Sequence, residues 1–83
     1  MTLSELINYL EQGREIEFNL YDSEYFMSIL YLDNLTDEKY YIWDNTQKYD
    51  IIIGSMNDIL SYKFNGNISL KENIEKFSFR YIL

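Results

Sequence analysis

The sequence predicts an α+β domain in which helices cover one face of an antiparallel sheet. Three patterns predict it: apolar residues at every third or fourth position near the N-terminus, a period of two between Arg14 and Ile53, and helix-capping signals after Gly54. The 83 residues, 47% hydrophobic and 18% aromatic, suffice for one small core. We expect a single domain over residues 1–83, with an N-terminal helix, a four-stranded meander, two short helices and a C-terminal edge strand.

A capping box predicts the first helix. The Thr2 hydroxyl can accept from the Glu5 amide while the Glu5 carboxylate accepts from the Thr2 amide. Gly13 can adopt the left-handed conformation that ends a helix, so we expect the last turn near Gln12. The apolar stripe of this helix comprises Leu3, Leu6, Ile7 and Leu10.

The first hairpin is predicted from Arg14 to Leu32. Its first strand points Ile16, Phe18 and Leu20 to one side and Glu15, Glu17 and Asn19 to the other. Asp22–Ser23 is the expected two-residue turn. The following strand, Tyr25–Leu32, is apolar on both faces, so we expect it to be central or covered twice.

The second hairpin follows a polar loop, Asp33–Glu38. Its strands are predicted at Lys39–Trp43 and Lys48–Ile53, joined by a turn at Asp44–Gln47 and ended by Gly54. The first strand has Tyr40 and Ile42 on one side and Tyr41 and Trp43 on the other. In the second strand, Tyr49, Ile51 and Ile53 alternate with Lys48, Asp50 and Ile52.

The C-terminal third predicts two short helices and a strand. Ser55 with Asp58 and Ser69 with Glu72 are N-terminal caps, separated by a turn at Asn65–Gly66. The second of these helices would bury Leu70, Ile74 and Phe77 on one face. The alternating tail Phe79, Tyr81 and Leu83 is expected to form a last strand at a sheet edge or an arm across the core, and self-association through it stays open.

The composition excludes most cofactor and catalytic chemistry. Without Cys or His, the chain lacks the usual ligands of zinc, haem and iron-sulfur clusters, the Cys nucleophile and the imidazole base. The carboxylate pairs Glu15–Glu17 and Asp44–Asp50 could hold magnesium or move protons, but they occupy ordinary surface positions. We expect a protein without cofactors that is not an enzyme; a small-molecule-binding or minimal enzymatic domain stays as an alternative.

The chain is expected to be cytoplasmic and to have no membrane partner. No apolar run approaches the roughly 20 residues that span a bilayer, and Met1–Leu10 has no basic flank of the kind found in signal peptides. Ala, Val, Pro and Cys are absent while Ile, Asn, Tyr and Lys are abundant, a bias typical of AT-rich bacterial genomes and their phages.

The negative charge lies mainly in the first half of the chain. The net charge is −7, and residues 1–38 hold nine of the 14 acidic residues and one of the seven basic residues. We predict an electronegative face that occupies a basic groove by imitating nucleic-acid phosphates. The alternative is a solvated acidic surface that only maintains solubility. The candidate contact residues are Glu11, Glu15, Glu17, Asp22, Glu24, Asp33, Asp37 and Glu38.

Aromatic residues exceed what so small a core can bury. Most are expected to form cross-strand pairs that stiffen the sheet. Tyr41 and Trp43 are the predicted exposed contacts, provided that Tyr40 and Ile42 face the helices. Acidic residues beside aromatic ones favour a protein partner over direct nucleic-acid binding. The set comprises Tyr21, Tyr25, Tyr31, Tyr40, Tyr41, Tyr49 and Trp43.

The chain resembles a group of short acidic, mostly uncharacterised proteins encoded by phages, prophages and mobile elements of low-GC Gram-positive bacteria. The segment Asn73–Leu83, with Lys76 and Arg80, departs from the more acidic last helix of that group. The resemblance implies a setting in which small acidic proteins often inhibit host defence enzymes, including CRISPR nucleases. An immunity or antitoxin-type protein that neutralises a basic toxin is the alternative. The resemblance is carried by Gly13–Phe18, Tyr40–Trp43, Ile59–Leu60, Asn65–Gly66 and Ser69–Glu72.

Overall fold

The computed structural model of the chain describes residues 1–30 and 39–83 and confirms the predicted α+β architecture. The predicted loop Asp33–Glu38, with its contact candidates Asp33, Asp37 and Glu38, lies outside the described residues, as do Tyr31 and Leu32. The elements are α1 (Leu3–Glu11), β1 (Ile16–Leu20), β2 (Ser23–Leu30), β3 (Lys39–Asp44), β4 (Tyr49–Gly54), α2 (Met56–Ser61), α3 (Leu70–Asn73), a 3₁₀ turn (Ile74–Lys76) and β5 (Ser78–Ile82).

The helix ends follow the capping signals of the sequence. In α1, Thr2 Oγ1 accepts from the Glu5 amide at 3.1 Å and Glu5 Oε1 accepts from the Thr2 amide at 2.9 Å. Ser55 and Asp58 repeat this reciprocal arrangement at α2. Gly13 has a φ of 77°, as the predicted helix end requires.

The five strands form one antiparallel sheet in the order β4-β3-β2-β1-β5. β2 is central, as its apolar residues on both faces predicted. β5 is an edge strand paired with β1, so the alternative of an arm across the core is wrong. Among residues 1–30 and 39–83, no helix is long and apolar enough to cross a membrane.

One face of the sheet packs against all three helices. Leu6 and Leu10 of α1, Ile59 of α2 and Leu70 of α3 are fully buried and join the same cluster as the inward side chains of the strands. Phe18 lies at the centre, with its ring 5.3 Å from that of Tyr25. The inward strand residues include Ile16, Phe18, Leu20, Tyr25, Met27, Ile29, Tyr40 and Ile42.

The first hairpin turn lies one residue earlier than predicted. Leu20 pairs with Ser23, so the two residues between them are Tyr21 and Asp22, and the prediction of Asp22–Ser23 is wrong. Tyr21 adopts a φ of 54°, although tyrosine is rarely found in this region. The burial alternation of both strands fixes the register, because a shift of one residue would turn Phe18 and Tyr25 away from the core.

Two β-bulges change the predicted alternation of the edge strands. Ile42 pairs with Ile52 and Trp43 with Asp50, so that Ile51 is the extra residue of β4. Ile51 and Ile52 both pack against the core while Ile53 is exposed, and the simple alternation predicted for β4 is therefore wrong.

The second bulge lies in β5. Phe79 pairs with Phe18 and Tyr81 with Glu17, which makes Arg80 the extra residue. Phe79 therefore faces the core, whereas Tyr81 is 59% exposed on the opposite face. The prediction that these two aromatic side chains share one side of the strand is wrong.

Candidate protein-interaction face

The face of the sheet turned away from the helices is the candidate functional site, and we call it the open face. In the described part of the chain, the buried side chains of α1, α2 and α3 all belong to the cluster on the other face. The open face therefore has no helix over it among residues 1–30 and 39–83. Its main side chains are Glu15, Glu17, Asn19, Glu24, Phe26, Ser28, Tyr41, Trp43, Asp50, Ile53, Arg80 and Tyr81.

Three aromatic residues, Phe26, Tyr41 and Trp43, form the middle of the open face, and we call them the aromatic strip. Phe26 pairs directly with Trp43 across β2 and β3, and Tyr41 pairs with Ser28 two residues further along the same strands. All three aromatic side chains are half-buried, and none belongs to the core cluster.

The strip follows from the period of two in β3. Tyr40 and Ile42 are 5% and 0% exposed and face the core, which turns Tyr41 and Trp43 outward as the sequence predicted. Phe26 was missed as a contact candidate. Its signal was present, because β2 is apolar on both faces and only one of them can face the helices.

Acidic residues flank the aromatic strip on both sides. The cross-strand register aligns Asp50 of β4, Trp43, Phe26 and Glu17 of β1 in one row. Three strand spacings place the backbones of Asp50 and Glu17 about 14 Å apart. The strip thus lies between Asp50 on one side and Glu17 of β1 on the other.

Acidic residues on both sides of the aromatic strip affect the pKa of the Tyr41 phenol. Burial raises the pKa of Tyr41 above its ordinary value, and the negative charges of Glu15 and Asp50 raise it further. Glu15 precedes β1 and Asp50 lies in β4, on opposite sides of the strip. Both carboxylates therefore lie close enough to the Tyr41 phenol to act on its ionisation.

Arg80 neutralises part of this charge. Its guanidinium lies 3.7 Å from Glu17 Oε2 and 3.3 Å from Glu24 Oε1. Glu24 also accepts a hydrogen bond from Asn45 Nδ2 at 3.3 Å. Two of the predicted contact residues are therefore engaged within the protein. Glu15 and Asp50 take part in none of the ion pairs between described residues.

The predicted acidic set is only partly brought together. Glu15, Glu17 and Glu24 share the open face, whereas Asp22 lies in the turn between β1 and β2. Glu11 ends α1 on the helix-covered side and is exposed there. The role of these residues in partner binding stays a prediction.

The carboxylate pair Asp44–Asp50 does not converge. Asp44 is 4% exposed on the core-facing side of β3, and its Oδ1 accepts from the amides of Thr46 and Gln47, both at 2.9 Å. Asp50 belongs to the other face. Within the described ranges, no group of three or more acidic residues is arranged to hold a metal ion.

No protein-family model, no curated protein and no solved structure matches this chain. The resemblance to small acidic proteins of phages and mobile elements therefore stays a prediction.

Proposed function

We propose that the protein is a non-enzymatic interaction protein whose open face binds a basic, nucleic-acid-binding surface of a larger protein. The observation that carries the proposal is the aromatic strip, left uncovered by the helices and flanked by Glu15 and Glu17 on one side and Asp50 on the other. Half-buried aromatic residues in a polar rim are typical of protein interfaces.

Charge selects the kind of partner. A net charge of −7 repels nucleic acid and attracts basic protein surfaces. The surfaces of nucleases and other nucleic-acid-binding proteins are built to hold rows of negative charge. The mobile-element setting implied by the resemblance makes host defence proteins, CRISPR nucleases among them, the first partners to test.

The test is affinity capture from a bacterial host lysate with three forms of the protein. One carries Glu15→Lys with Asp50→Lys on the open face. The matched control carries Glu72→Lys with Glu75→Lys, which makes the same change in net charge at exposed positions of the helical side. Urea unfolding of each form checks that the fold is retained.

The proposal predicts that wild type and control retain a common partner that the open-face variant loses. Retention should also fall steeply with salt, because charges across an exposed rim are screened within about 8 Å at physiological ionic strength. Equal retention of the partner by the two double variants would exclude the open face as the contact. If the captured partner is a basic toxin, the result would instead support the antitoxin-type function.

Competition tests the nature of the partner surface. If the partner uses that surface for nucleic acid, its DNA or RNA substrate should displace this protein, and this protein should inhibit nucleic-acid binding. Simultaneous binding of both would show that the surface is basic but not the nucleic-acid site.

A further inference from the structure

The edges of the sheet are poor sites for adding a strand from another chain. β4 and β5 are the two edge strands, and each contains the extra residue of a bulge, Ile51 in one and Arg80 in the other. Bulges and charged side chains interrupt the regular row of backbone donors and acceptors that an added strand needs. A partner is therefore better accommodated on the open face than along an edge.

A second copy of the chain also fits the open face poorly. Each copy carries a net charge of −7, and two open faces packed together would bring their Glu15 and Asp50 carboxylates into one interface. Like charges brought together at an interface cost several kcal/mol. The aromatic strip consequently calls for a different, basic partner.

The dimensions of the open face match an α-helix. The backbones of Glu17 and Asp50, on either side of the strip, are about 14 Å apart, and a helix with its side chains is about 10–12 Å wide. Along the strands, Tyr41 to Trp43 spans about 7 Å, so between one and two helical turns cover the strip. A helix lying along β2 and β3 would place its lower surface on aromatic rings and both flanks near carboxylates.

We infer that the open face binds an amphipathic helix of the partner, with large apolar residues in one stripe and Lys or Arg on both sides of it. The apolar stripe packs on Phe26, Tyr41 and Trp43. The basic flanks reach Glu15 on one side and Asp50 on the other, with their aliphatic stems lying over the aromatic rings. This inference rests on the proposed function and specifies the element that the open face recognises.

Arg80 sets one boundary of this site. By engaging Glu17 and Glu24, it leaves Glu15 as the carboxylate of that side that is free of ion pairs among the described residues. The two carboxylates free for the partner's flanks are then Glu15 and Asp50.

The probe is a synthetic amphipathic peptide of about 18 residues with a Leu stripe flanked by Lys, long enough to form a helix. Its controls are a scrambled peptide of identical composition and a poly-lysine of equal charge. Trp43 is the only Trp of the chain and belongs to the strip, so its fluorescence reports occupancy of this site directly.

The amphipathic peptide should shift the Trp43 emission and bind at least about tenfold more tightly than either control peptide, a difference of about 1.4 kcal/mol. Glu15→Lys with Asp50→Lys should abolish this preference, and Glu72→Lys with Glu75→Lys should preserve it. Equal binding of the scrambled peptide, or an unchanged Trp43 signal, would overturn the inference.

The two proposals can fail separately. A partner that is lost from the open-face variant in the capture experiment, together with no preference for the amphipathic peptide, would retain the proposed function and reject the helix. The reverse result would reject the proposed function alone. In that case the protein would prefer the amphipathic peptide, but no captured partner would be lost from the open-face variant.

Discussion

Ser69 shows how one buried hydroxyl fixes the local course of the chain. It is 0% exposed, and its Oγ accepts from the Glu72 amide at 3.1 Å to begin α3. Its neighbours Ile68 and Leu70 are buried as well. Removing the hydroxyl would therefore leave the Glu72 amide without its capping partner.

We predict that Ser69→Ala lowers the free energy of unfolding by about 1–2 kcal/mol. Urea unfolding measures this difference directly. Ser61→Ala is the control, because Ser61 is exposed and its hydroxyl donates only to the Asn57 carbonyl within α2. That substitution should change stability by less than about 0.5 kcal/mol. Equal losses at the two positions would contradict the importance assigned to the Ser69 cap.

At the scale of elements, the edge strand β5 is connected through its side chains to the core and to the two neighbouring strands β1 and β2. Its bulge directs Phe79 into the core and Tyr81 outward. Arg80 contacts Glu17 in β1 and Glu24 in β2, and so crosses two neighbouring strands. The Arg80 side chain is 32% exposed, which limits the stabilisation that solvent-screened pairs of this kind provide.

We expect Arg80→Met to lower stability by at most about 1 kcal/mol at low salt, with a smaller loss at high salt. The same substitution should strengthen binding to a basic partner, because it frees Glu17 and Glu24. Lys76→Met is the matched control, with the same loss of charge at an exposed position of the helical side. If both variants bind equally well, net charge rather than the local release of carboxylates explains the gain.

At the scale of the whole molecule, tyrosines lie on both faces of a thin sheet. Tyr25 belongs to the core and Tyr41 to the open face. Burial raises the pKa of Tyr25, with Asp44 adding to the effect, and burial also raises the pKa of Tyr41. Both phenols must therefore stay neutral in the folded protein at pH values where the unfolded chain ionises them.

This difference predicts a loss of stability in alkaline solution. The contribution of the two phenols is fully present below about pH 10 and decreases as the pH rises towards their higher pKa values in the folded state. Urea unfolding between neutral pH and about pH 11, with phenolate absorbance followed in parallel, measures it. Tyr25→Phe and Tyr41→Phe should each make the alkaline decrease shallower. An unchanged slope in both variants would contradict this prediction.

Much of the fold could be predicted because its signals are local. Thr2 and Ser55 cap helices through residues three positions away, and Gly13 ends α1 by its own backbone conformation. The period of two places Ile16 and Ile42 inward without knowledge of their partners. The candidate site was predicted in the same way as far as Tyr41, Trp43, Glu15 and Glu17.

The sequence by itself therefore determined the helices, the strands and the outward direction of the aromatic strip, because each depends on neighbouring residues or on backbone periodicity. Only the tertiary structure decided that β5 pairs with β1, that bulges at Ile51 and Arg80 change which side chains share a face, and that Arg80 engages Glu17 and Glu24. These features depend on contacts between residues far apart in the chain. No local pattern encodes them.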